Sequence, residues 1–134
     1  MIFADTSFWI AYRNSRDGLH HHATTAMRKH AGDGIVTTNH IVGETWTFLR
    51  RRTGFKSAVN FVDSVQRSRR VQVKTVSEEM ERAALSWLRR RGGERPYSFV
   101  DATSFEMMRT LKIRDALAFD QDFAAAGFRP IETS

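Results

Sequence analysis

Short apolar runs alternate with longer amphipathic stretches along the whole of this 134-residue chain. Each run is only a few residues long, is rich in β-branched and aromatic side chains, and is bounded by polar or glycine positions. Segments of this kind are typical of strands buried inside a sheet. We therefore predict strands at Met1–Ala4, at Ile35–Thr38, around Val71, Val73 and Val76, and at Asp115–Phe119, with a short edge strand at Pro130–Ile131.

The longer stretches place apolar residues three and four positions apart, which is the spacing of one face of an α-helix. Candidate caps accompany them: Thr6 or Ser7 for the first helix, Asn39 for the third, and a capping box from Ser98 to Asp101 for the last. The predicted helices run from Ser7 to about Asn14, from His20 to His30, from Asn39 to about Thr53, from Lys56 to Ser68, from Ser77 through Leu88, and from Ser98 to about Leu111.

Strands that alternate with helices predict an α/β fold, because two parallel strands are usually connected by a helix that crosses one face of the sheet. We expect a mostly parallel central sheet covered on both sides. No repeat, linker or low-complexity segment interrupts the chain, so we expect a single domain over residues 1–134. In such sheets, ligands bind beyond the carboxyl ends of the strands. Residues that directly follow strands are therefore the first candidates for a functional site.

Four acidic residues occupy such positions or lie beside the apolar face of a helix. Asp5 and Asp120 directly follow predicted strands. Glu44 lies three residues after Ile41 on one helix, and Asp101 lies in the first turn of another. Each has an ordinary explanation by itself, as a turn residue, a helix cap or part of a solvated loop. A carboxylate at the edge of an apolar core is costly unless a cation pairs with it, so the four together indicate one shared pocket.

Several carboxylates in a chain without cysteine favour an ion that prefers oxygen ligands, and we expect Mg²⁺ or Mn²⁺ rather than zinc. Such an ion lowers the pKa of a bound water and neutralises charge on a phosphate that is attacked in line. Without the ion, the carboxylates should raise one another's pKa, because like charges at short distance disfavour ionisation. The metal-free protein should therefore be less stable than the metal-bound protein.

The basic residues are concentrated in the middle of the chain. Residues 50–95 contain 13 of the 21 lysines and arginines but 5 of the 15 acidic residues. This asymmetry favours a polyanion held by its phosphates beside the acidic pocket, although a solvated, arginine-rich helical surface gives the same composition. Arg50, Arg51 and Arg52 are candidates for phosphate contact and equally for helix capping, because they end a predicted helix.

Other features exclude several classes of protein or site. No apolar run approaches the roughly 20 residues of a membrane-spanning helix, the first residues lack the features of a signal peptide, and there is no cysteine for a disulfide. These observations predict a cytoplasmic protein that does not contact the membrane. The tract His20-His21-His22 does not favour a metal site, because consecutive helical residues point about 100° apart. We expect a helix surface there, or an edge that faces the polyanion.

Four motifs occur in order along the chain: Phe3-Ala4-Asp5-Thr6-Ser7, Val42-Gly43-Glu44-Thr45, Ser98-Phe99-Val100-Asp101-Ala102 and Phe119-Asp120-Gln121-Asp122-Phe123. Their content and spacing resemble those of PIN-domain ribonucleases, and most of all the VapC-type toxins of bacterial toxin–antitoxin pairs. The resemblance covers essentially the whole chain. It implies a three-layer α/β/α fold and cleavage of RNA that depends on Mg²⁺ or Mn²⁺.

By the same resemblance, Asp5, Glu44, Asp101 and Asp120 would be the catalytic acids. The metal ligands would be Asp5, Asp101 and Asp120, with Asp122 as a possible further ligand. Thr6 or Ser7 would support Asp5 and the metal-bound water without contacting the metal. The resemblance also implies a homodimer and tight inhibition by a small antitoxin that inserts a segment into the active-site groove.

Two other functions fit part of the pattern. A non-catalytic RNA- or protein-binding module that retains the fold would bind RNA equally well after Asp5→Asn. A phosphatase or a phospho-acceptor regulator would also place acids at strand ends. Those folds usually need a second acid next to the first or two residues after it. Thr6 and Ser7 occupy these positions, which argues against this class.

Overall fold

A single parallel sheet organises the protein. The structure, a computed structural model, describes residues 1–131, so the last three residues of the expected 1–134 domain lie outside it. Every strand pairing is parallel, and the strand order is β3-β2-β1-β4-β5. The strands are β1 (Ile2–Ala4), β2 (Ile35–Thr38), β3 (Val71–Lys74), β4 (Asp115–Leu117) and β5 (Arg129–Pro130).

The order of the strands reverses next to β1. The chain moves from β1 outward to β2 and β3 on one side, and then returns to add β4 and β5 on the other. The backbone N–H of Asp5 donates a hydrogen bond to the carbonyl of Leu117 at 3.0 Å, which continues the β1–β4 pairing to the ends of both strands. The carboxyl ends of β1 and β4 therefore form the switch point at which ligands bind in sheets of this type.

Helices cover both faces of the sheet, because crossovers between parallel strands are right-handed and the direction of the crossovers changes at the switch point. The first four helices lie on one face and the next two on the other, which confirms the predicted α/β/α layers. None of the helices within residues 1–131 is long and apolar enough to span a membrane. The helices are α1 (Thr6–Arg13), α2 (His20–His30), α3 (Asn39–Arg52), α4 (Phe55–Arg67), α5 (Glu78–Arg91), α6 (Phe99–Leu111) and α7 (Asp122–Ala125).

Aromatic side chains fill the core on both sides of the fully buried strand β1. On one side, the ring of Trp9 contacts Phe8 and Phe61 edge-to-face, at centroid distances of 5.4 and 5.7 Å. On the other side, Phe105 and Trp87 make the same type of contact at 5.3 Å. Such pairs add to the stabilisation from buried area. The two aromatic clusters hold α1 and α6, which carry site residues, firmly against the sheet.

Two helix caps lie earlier in the chain than predicted. Asp5 caps α1 in place of Thr6 or Ser7, and Thr38 caps α3 in place of Asn39. Both cap residues still have the extended backbone of the preceding strand, so their side-chain oxygens can accept hydrogen bonds from N–H groups in the first helical turn. The change matters for Asp5, because its carboxylate takes part in the fold as well as in the candidate site.

The edge strand β3 is much more exposed than the periodicity predicts. Val73 is 40% exposed, and the strand ends at Lys74, so that Val76 packs into the core after the strand. Asn39 does not cap α3. Its side chain instead anchors the segment after β3, because its Oδ1 accepts a hydrogen bond from the N–H of Val76 at 2.8 Å. Strand β4 is also shorter than predicted and ends at Leu117.

Candidate metal and active site

Three carboxylates meet at the switch point of the sheet. Asp5 follows β1, Asp120 lies in the loop after β4, and Asp101 is the third residue of α6. One carboxylate oxygen of each lies within 4.8 Å of the corresponding oxygens of the other two. Oxygen atoms at these separations can bind one divalent cation together. We call these residues the acidic cluster.

Ser7 fixes the orientation of the Asp5 carboxylate and connects it to the neighbouring strand. Its Oγ donates to Asp5 Oδ2 at 2.9 Å and accepts a hydrogen bond from the backbone N–H of Phe119 at 3.0 Å. The backbone N–H of Ser7 also donates to Asp5 Oδ2, at 3.2 Å. Of the two hydroxyl groups considered from the sequence, that of Ser7 is the one that hydrogen-bonds to Asp5 within residues 1–131.

Asp101 is held by the capping box that the sequence predicts. Ser98 Oγ accepts a hydrogen bond from the N–H of Asp101 at 2.9 Å, and Asp101 Oδ2 accepts one from the N–H of Ser98 at 3.0 Å. Asp101 therefore caps α6 and at the same time belongs to the acidic cluster. The cap uses Oδ2, so the second carboxylate oxygen has no protein partner among residues 1–131.

Asp122 lies close to the acidic cluster but is paired with an arginine. Arg95 Nη2 and Nε lie 2.9 and 3.1 Å from Asp122 Oδ1. The backbone N–H of Asp122 donates to Asp120 Oδ1 at 3.1 Å, which orients the Asp120 side chain. Asp122 does not belong to the group of oxygens within 4.8 Å. The sequence reasoning missed Arg95, because nothing in the sequence connects it with a residue 27 positions away.

Burial raises the pKa of all three carboxyl groups of the acidic cluster, and the charges of nearby acids raise it further. Burial raises the pKa of Asp5, the charge of Asp120 raises it further, and the hydrogen bonds from Ser7 partly oppose both effects. Burial raises the pKa of Asp101 to about 6. The pKa of Asp120 is also raised, chiefly by burial. Such shifts are expected where a compensating cation belongs between the groups.

The structure places two other predicted site residues differently. Glu44 is exposed on α3 and does not belong to the acidic cluster, and its carboxylate has no hydrogen bond or ion pair within residues 1–131. Thr6 is buried next to Asp5, and its Oγ1 has no hydrogen-bond partner in the described part of the chain.

The basic and histidine tracts lie outside the acidic cluster. Arg50, Arg51 and Arg52 form the exposed last turn of α3. The histidine tract opens α2 at His20, whose Nδ1 lies 2.9 Å from the carbonyl oxygen of Ala11. No group of metal-ligating atoms within residues 1–131 includes a histidine of this tract.

A parallel sheet in the order 3-2-1-4-5, covered by helices on both faces, agrees with the fold that the resemblance implied. The sequence matches the PIN domain over residues 2–129. The chain therefore belongs to the PIN-domain family.

Two relatives of known name match most of the chain. The 23S rRNA-specific endonuclease VapC20 of Mycobacterium tuberculosis is 48% identical over 130 residues, which are 96% of this chain and 95% of the relative. A VapC ribonuclease of Archaeoglobus fulgidus is 28% identical over 124 residues, or 90% of this chain and 77% of the relative.

Solved structures support the same assignment. The crystal structure of M. tuberculosis VapC20, described as a sarcin–ricin loop cleaving toxin, superimposes with a TM-score of 0.89 at 46% identity and covers 96% of both chains. FitAcB from Neisseria gonorrhoeae matches with a TM-score of 0.69 at 12% identity over 99% of this chain and 98% of its own. The second match supports the fold alone.

Proposed function

We propose that this chain, a PIN-domain protein of the VapC ribonuclease type, hydrolyses RNA phosphodiester bonds at the acidic cluster with Mg²⁺ or Mn²⁺. The observation that carries the proposal is the convergence of Asp5, Asp101 and Asp120 from three separate elements to within 4.8 Å. Three buried or half-buried acids at one point raise the free energy of the metal-free fold. Selection for a metal site explains such an arrangement, and stability alone does not.

The residues present fit a hard divalent cation. The donor set consists of carboxylate oxygens, with neither histidine nor cysteine in the cluster, and this chemistry suits Mg²⁺ or Mn²⁺ better than zinc. The buried Thr6 hydroxyl, which lacks a partner within residues 1–131, offers a further oxygen beside Asp5 for hydrogen bonding to water. When bound, the ion would supply charge stabilisation at the phosphate and a more acidic water.

The residues of the chain then have distinct tasks. Asp5, Asp101 and Asp120 bind the cation. Ser7 holds Asp5 in the orientation set by the end of β1, and the N–H of Asp122 holds Asp120. Asp122 itself is a weaker candidate ligand, because Arg95 neutralises it. Because the fold already holds the three carboxylates together, no free energy is needed to bring these like charges together during the reaction.

Glu44 completes the proposed catalytic acids. Its exposed carboxylate on α3 has no partner in the described residues, so it is available to an incoming RNA or water molecule. Glu44→Gln should lower the cleavage rate and leave the Mg²⁺-induced rise in melting temperature nearly unchanged, because Glu44 stands outside the three-oxygen group. Loss of that rise would instead make Glu44 a metal ligand.

We propose the sarcin–ricin loop of 23S rRNA as the substrate class. The support is the extent of the match with VapC20, whose description names this loop and which shares 46% of its residues in the aligned structures. In line with the expectations from the sequence, we also propose a small antitoxin as the inhibitor, a homodimer as the assembly, the cytoplasm as the location, and residues 1–134 as one domain. Size-exclusion chromatography with light scattering tests the dimer directly.

The decisive experiment compares wild type with Asp5→Asn. Asparagine retains an oxygen that can cap α1 and accept from Ser7, so the fold is preserved while the negative charge is lost. Both proteins are expressed in a bacterial host, and new RNA 5′ ends are mapped across the transcriptome. We expect a new end in the sarcin–ricin loop with wild type and at least about 100-fold less of it with Asp5→Asn.

The same pair of proteins tests the alternative of a non-catalytic RNA-binding module. Equal growth inhibition and identical RNA ends for wild type and Asp5→Asn would reject the nuclease. A cleavage site elsewhere in the RNA that is lost in Asp5→Asn would keep the nuclease and reject only the sarcin–ricin loop.

A further inference from the structure

A second polar cavity lies at the opposite end of α1 from the acidic cluster. It has a volume of about 430 Å³ and forms where the end of α1 and the following loop meet the junction between α3 and α4. We call it the arginine pocket. Its principal lining residues are Arg13, Ser15, Arg16, Arg52, Thr53 and Ser57.

The arginine pocket carries three positive charges and no negative one. None of its lining residues is acidic. None of the ion pairs formed within residues 1–131 involves Arg13, Arg16 or Arg52. Unpaired like charges collected in one concave surface repel one another and attract anions. This distinguishes the pocket from an ordinary solvated surface, where arginines commonly pair with nearby carboxylates.

The local structure prepares the pocket for an anion. Helix α4 begins here with Gly54 as its cap and no side-chain hydrogen bond, so the N–H groups of its first turn are available at the positive end of the helix dipole. The hydroxyls of Thr53 and Ser57, 2.8 Å apart, lie at the same junction. The guanidinium of Arg52 is held 5.0 Å from the ring centroid of Phe48, which limits its freedom before binding.

The position of the arginine pocket relates it to the acidic cluster. Helix α1 begins after Asp5 and ends at Arg13, and eight residues of helix span about 12 Å. One strand of a DNA duplex carries a phosphate about every 3.4 Å along its axis, and the phosphates of an RNA strand are likewise a few ångströms apart. An RNA strand that has its scissile phosphate at the acidic cluster and runs along α1 would therefore place another phosphate, a few nucleotides away, at the arginine pocket.

We propose that the arginine pocket binds a backbone phosphate of the RNA, a few nucleotides from the bond that is cleaved. The planar guanidinium groups match the oxygens of a phosphodiester. This proposal rests on the proposed ribonuclease function. It also refines the sequence-based candidates Arg50, Arg51 and Arg52: only Arg52 lines the pocket, and Arg13 and Arg16 join it from a segment outside the basic middle of the chain.

The test measures RNA binding without cleavage. A fluorescently labelled sarcin–ricin loop hairpin is titrated with full-length protein in EDTA, at several salt concentrations, and binding is followed by anisotropy. The pocket variant combines Arg13→Gln, Arg16→Gln and Arg52→Gln. The control variant combines Arg82→Gln, Arg89→Gln and Arg90→Gln, which removes the same charge from exposed positions on α5.

We expect the pocket variant to bind the hairpin about tenfold more weakly than wild type. The slope of log affinity against log salt concentration should become shallower by about 0.7 to 0.9 for each phosphate that the variant no longer neutralises. The control variant should stay within about twofold of wild type. The single variant Arg16→Gln should show part of the weakening. Because Arg16 is exposed, this weakening cannot be caused by misfolding of the triple variant.

Equal weakening of the pocket and control variants would overturn the proposal, because net charge would then explain the binding. Saturable binding of inorganic phosphate together with unchanged hairpin affinity in the pocket variant would also overturn it and assign the pocket to a small anion. Cleavage of the hairpin by wild type in Mg²⁺ is measured in parallel. Its absence would reject the proposed substrate, whereas cleavage with no loss of binding in the pocket variant would reject the pocket alone.

Discussion

Ser7 shows how one hydroxyl links the fold to the site. It donates to the Asp5 carboxylate and accepts from the N–H of Phe119, so it joins the end of β1 to the segment after β4. Its hydrogen bonds lower the pKa of Asp5 against the effect of burial. Ser7 therefore helps to keep Asp5 ionised for a cation.

Ser7→Ala should weaken both properties. The N–H of Phe119 loses its acceptor, which costs about 1 to 3 kcal/mol in free energy of unfolding. Cleavage at limiting Mg²⁺ should fall about 10- to 100-fold, because Asp5 loses its orientation and part of its charge. Urea denaturation and cleavage assays measure the two effects. Ser64→Ala, which removes a hydroxyl bonded to the carbonyl of Phe61, is the control. Unchanged cleavage in Ser7→Ala would contradict the orienting role.

Arg95 has an electrostatic role next to the acidic cluster. It pairs with Asp122 and offsets part of its charge, which raises the pKa of both Asp101 and Asp120. The pairing also leaves the backbone N–H of Asp122 directed at Asp120. Because Arg95 pairs with Asp122, this fourth acid remains apart from the three that are placed to bind a cation.

Arg95→Gln should release the charge of Asp122 towards the acidic cluster. The metal-free protein should melt about 3 °C lower, because a partly exposed ion pair contributes up to about 1 kcal/mol. The rise in melting temperature on adding Mg²⁺ should be larger than in wild type, since the site has become more negative. Arg91→Gln, which breaks the surface pair with Glu94, is the matched control. A Mg²⁺ response equal in all three proteins would rule out this role.

At the scale of secondary-structure elements, the first turns of two helices position carboxylates of the acidic cluster. Asp5 caps α1, and Asp101 closes the capping box of α6. In both cases the positive end of a helix faces a carboxylate of the acidic cluster, which favours its charge. The sequence alone revealed the second arrangement, because Ser98 and Asp101 have the spacing of a capping box. It did not reveal the first, because a strand-end residue and a cap residue look alike until the backbone is known.

Ser98→Ala separates the capping role from the site role. Loss of a serine cap costs about 1 kcal/mol, and Asp101 loses a partner that fixes the first turn of α6. Ser77→Ala removes the equivalent cap of α5, which accepts from the N–H of Met80 at 3.2 Å and lies outside the acidic cluster. We expect similar losses of stability in both variants and a lower cleavage rate only in Ser98→Ala. Equal cleavage rates would show that the cap does not position Asp101.

At the scale of the whole molecule, the acidic cluster opposes folding whenever it is charged and empty of cations. The folded state raises the pKa of Asp101 to about 6, whereas an unfolded aspartate titrates near about 3.9. Between these values the folded protein binds more protons than the unfolded chain. The free energy of unfolding of the metal-free protein therefore increases as the pH falls through about 6, and this increase is complete only at about pH 4.

The metal-free protein should accordingly melt at a higher temperature at pH 5 than at pH 7.5, and Mg²⁺ should raise the melting temperature mainly at pH 7.5. Differential scanning fluorimetry in EDTA and in excess Mg²⁺ measures both effects. Asp101→Asn should flatten the pH dependence and reduce the Mg²⁺ response, because the titrating group and one ligand are removed. A pH dependence identical to that of wild type would assign the effect to other groups.

The prediction from sequence was most successful for the order and type of the elements, and least successful at their ends and edges. Apolar spacing located the helices and strands, because buried faces repeat at the period of each structure. It misplaced the caps of α1 and α3 and overestimated the burial of Val73. Those features depend on backbone dihedrals and on the position of β3 at the edge of the sheet.

The sequence by itself determined the fold class, the four ordered motifs and the acids within them, because local spacing and residue type carry that information. Only the tertiary structure decided which acids meet. The pairing of β1 with β4 brings Asp5 and Asp120 to the same edge of the sheet, and the packing of α6 adds Asp101. Glu44 stays exposed on α3, and Asp122 pairs with Arg95. The tertiary structure also brings Arg13, Arg16 and Arg52 together from two distant segments of the chain. Contacts between residues far apart in the chain arise from packing of whole elements, and no local pattern encodes them.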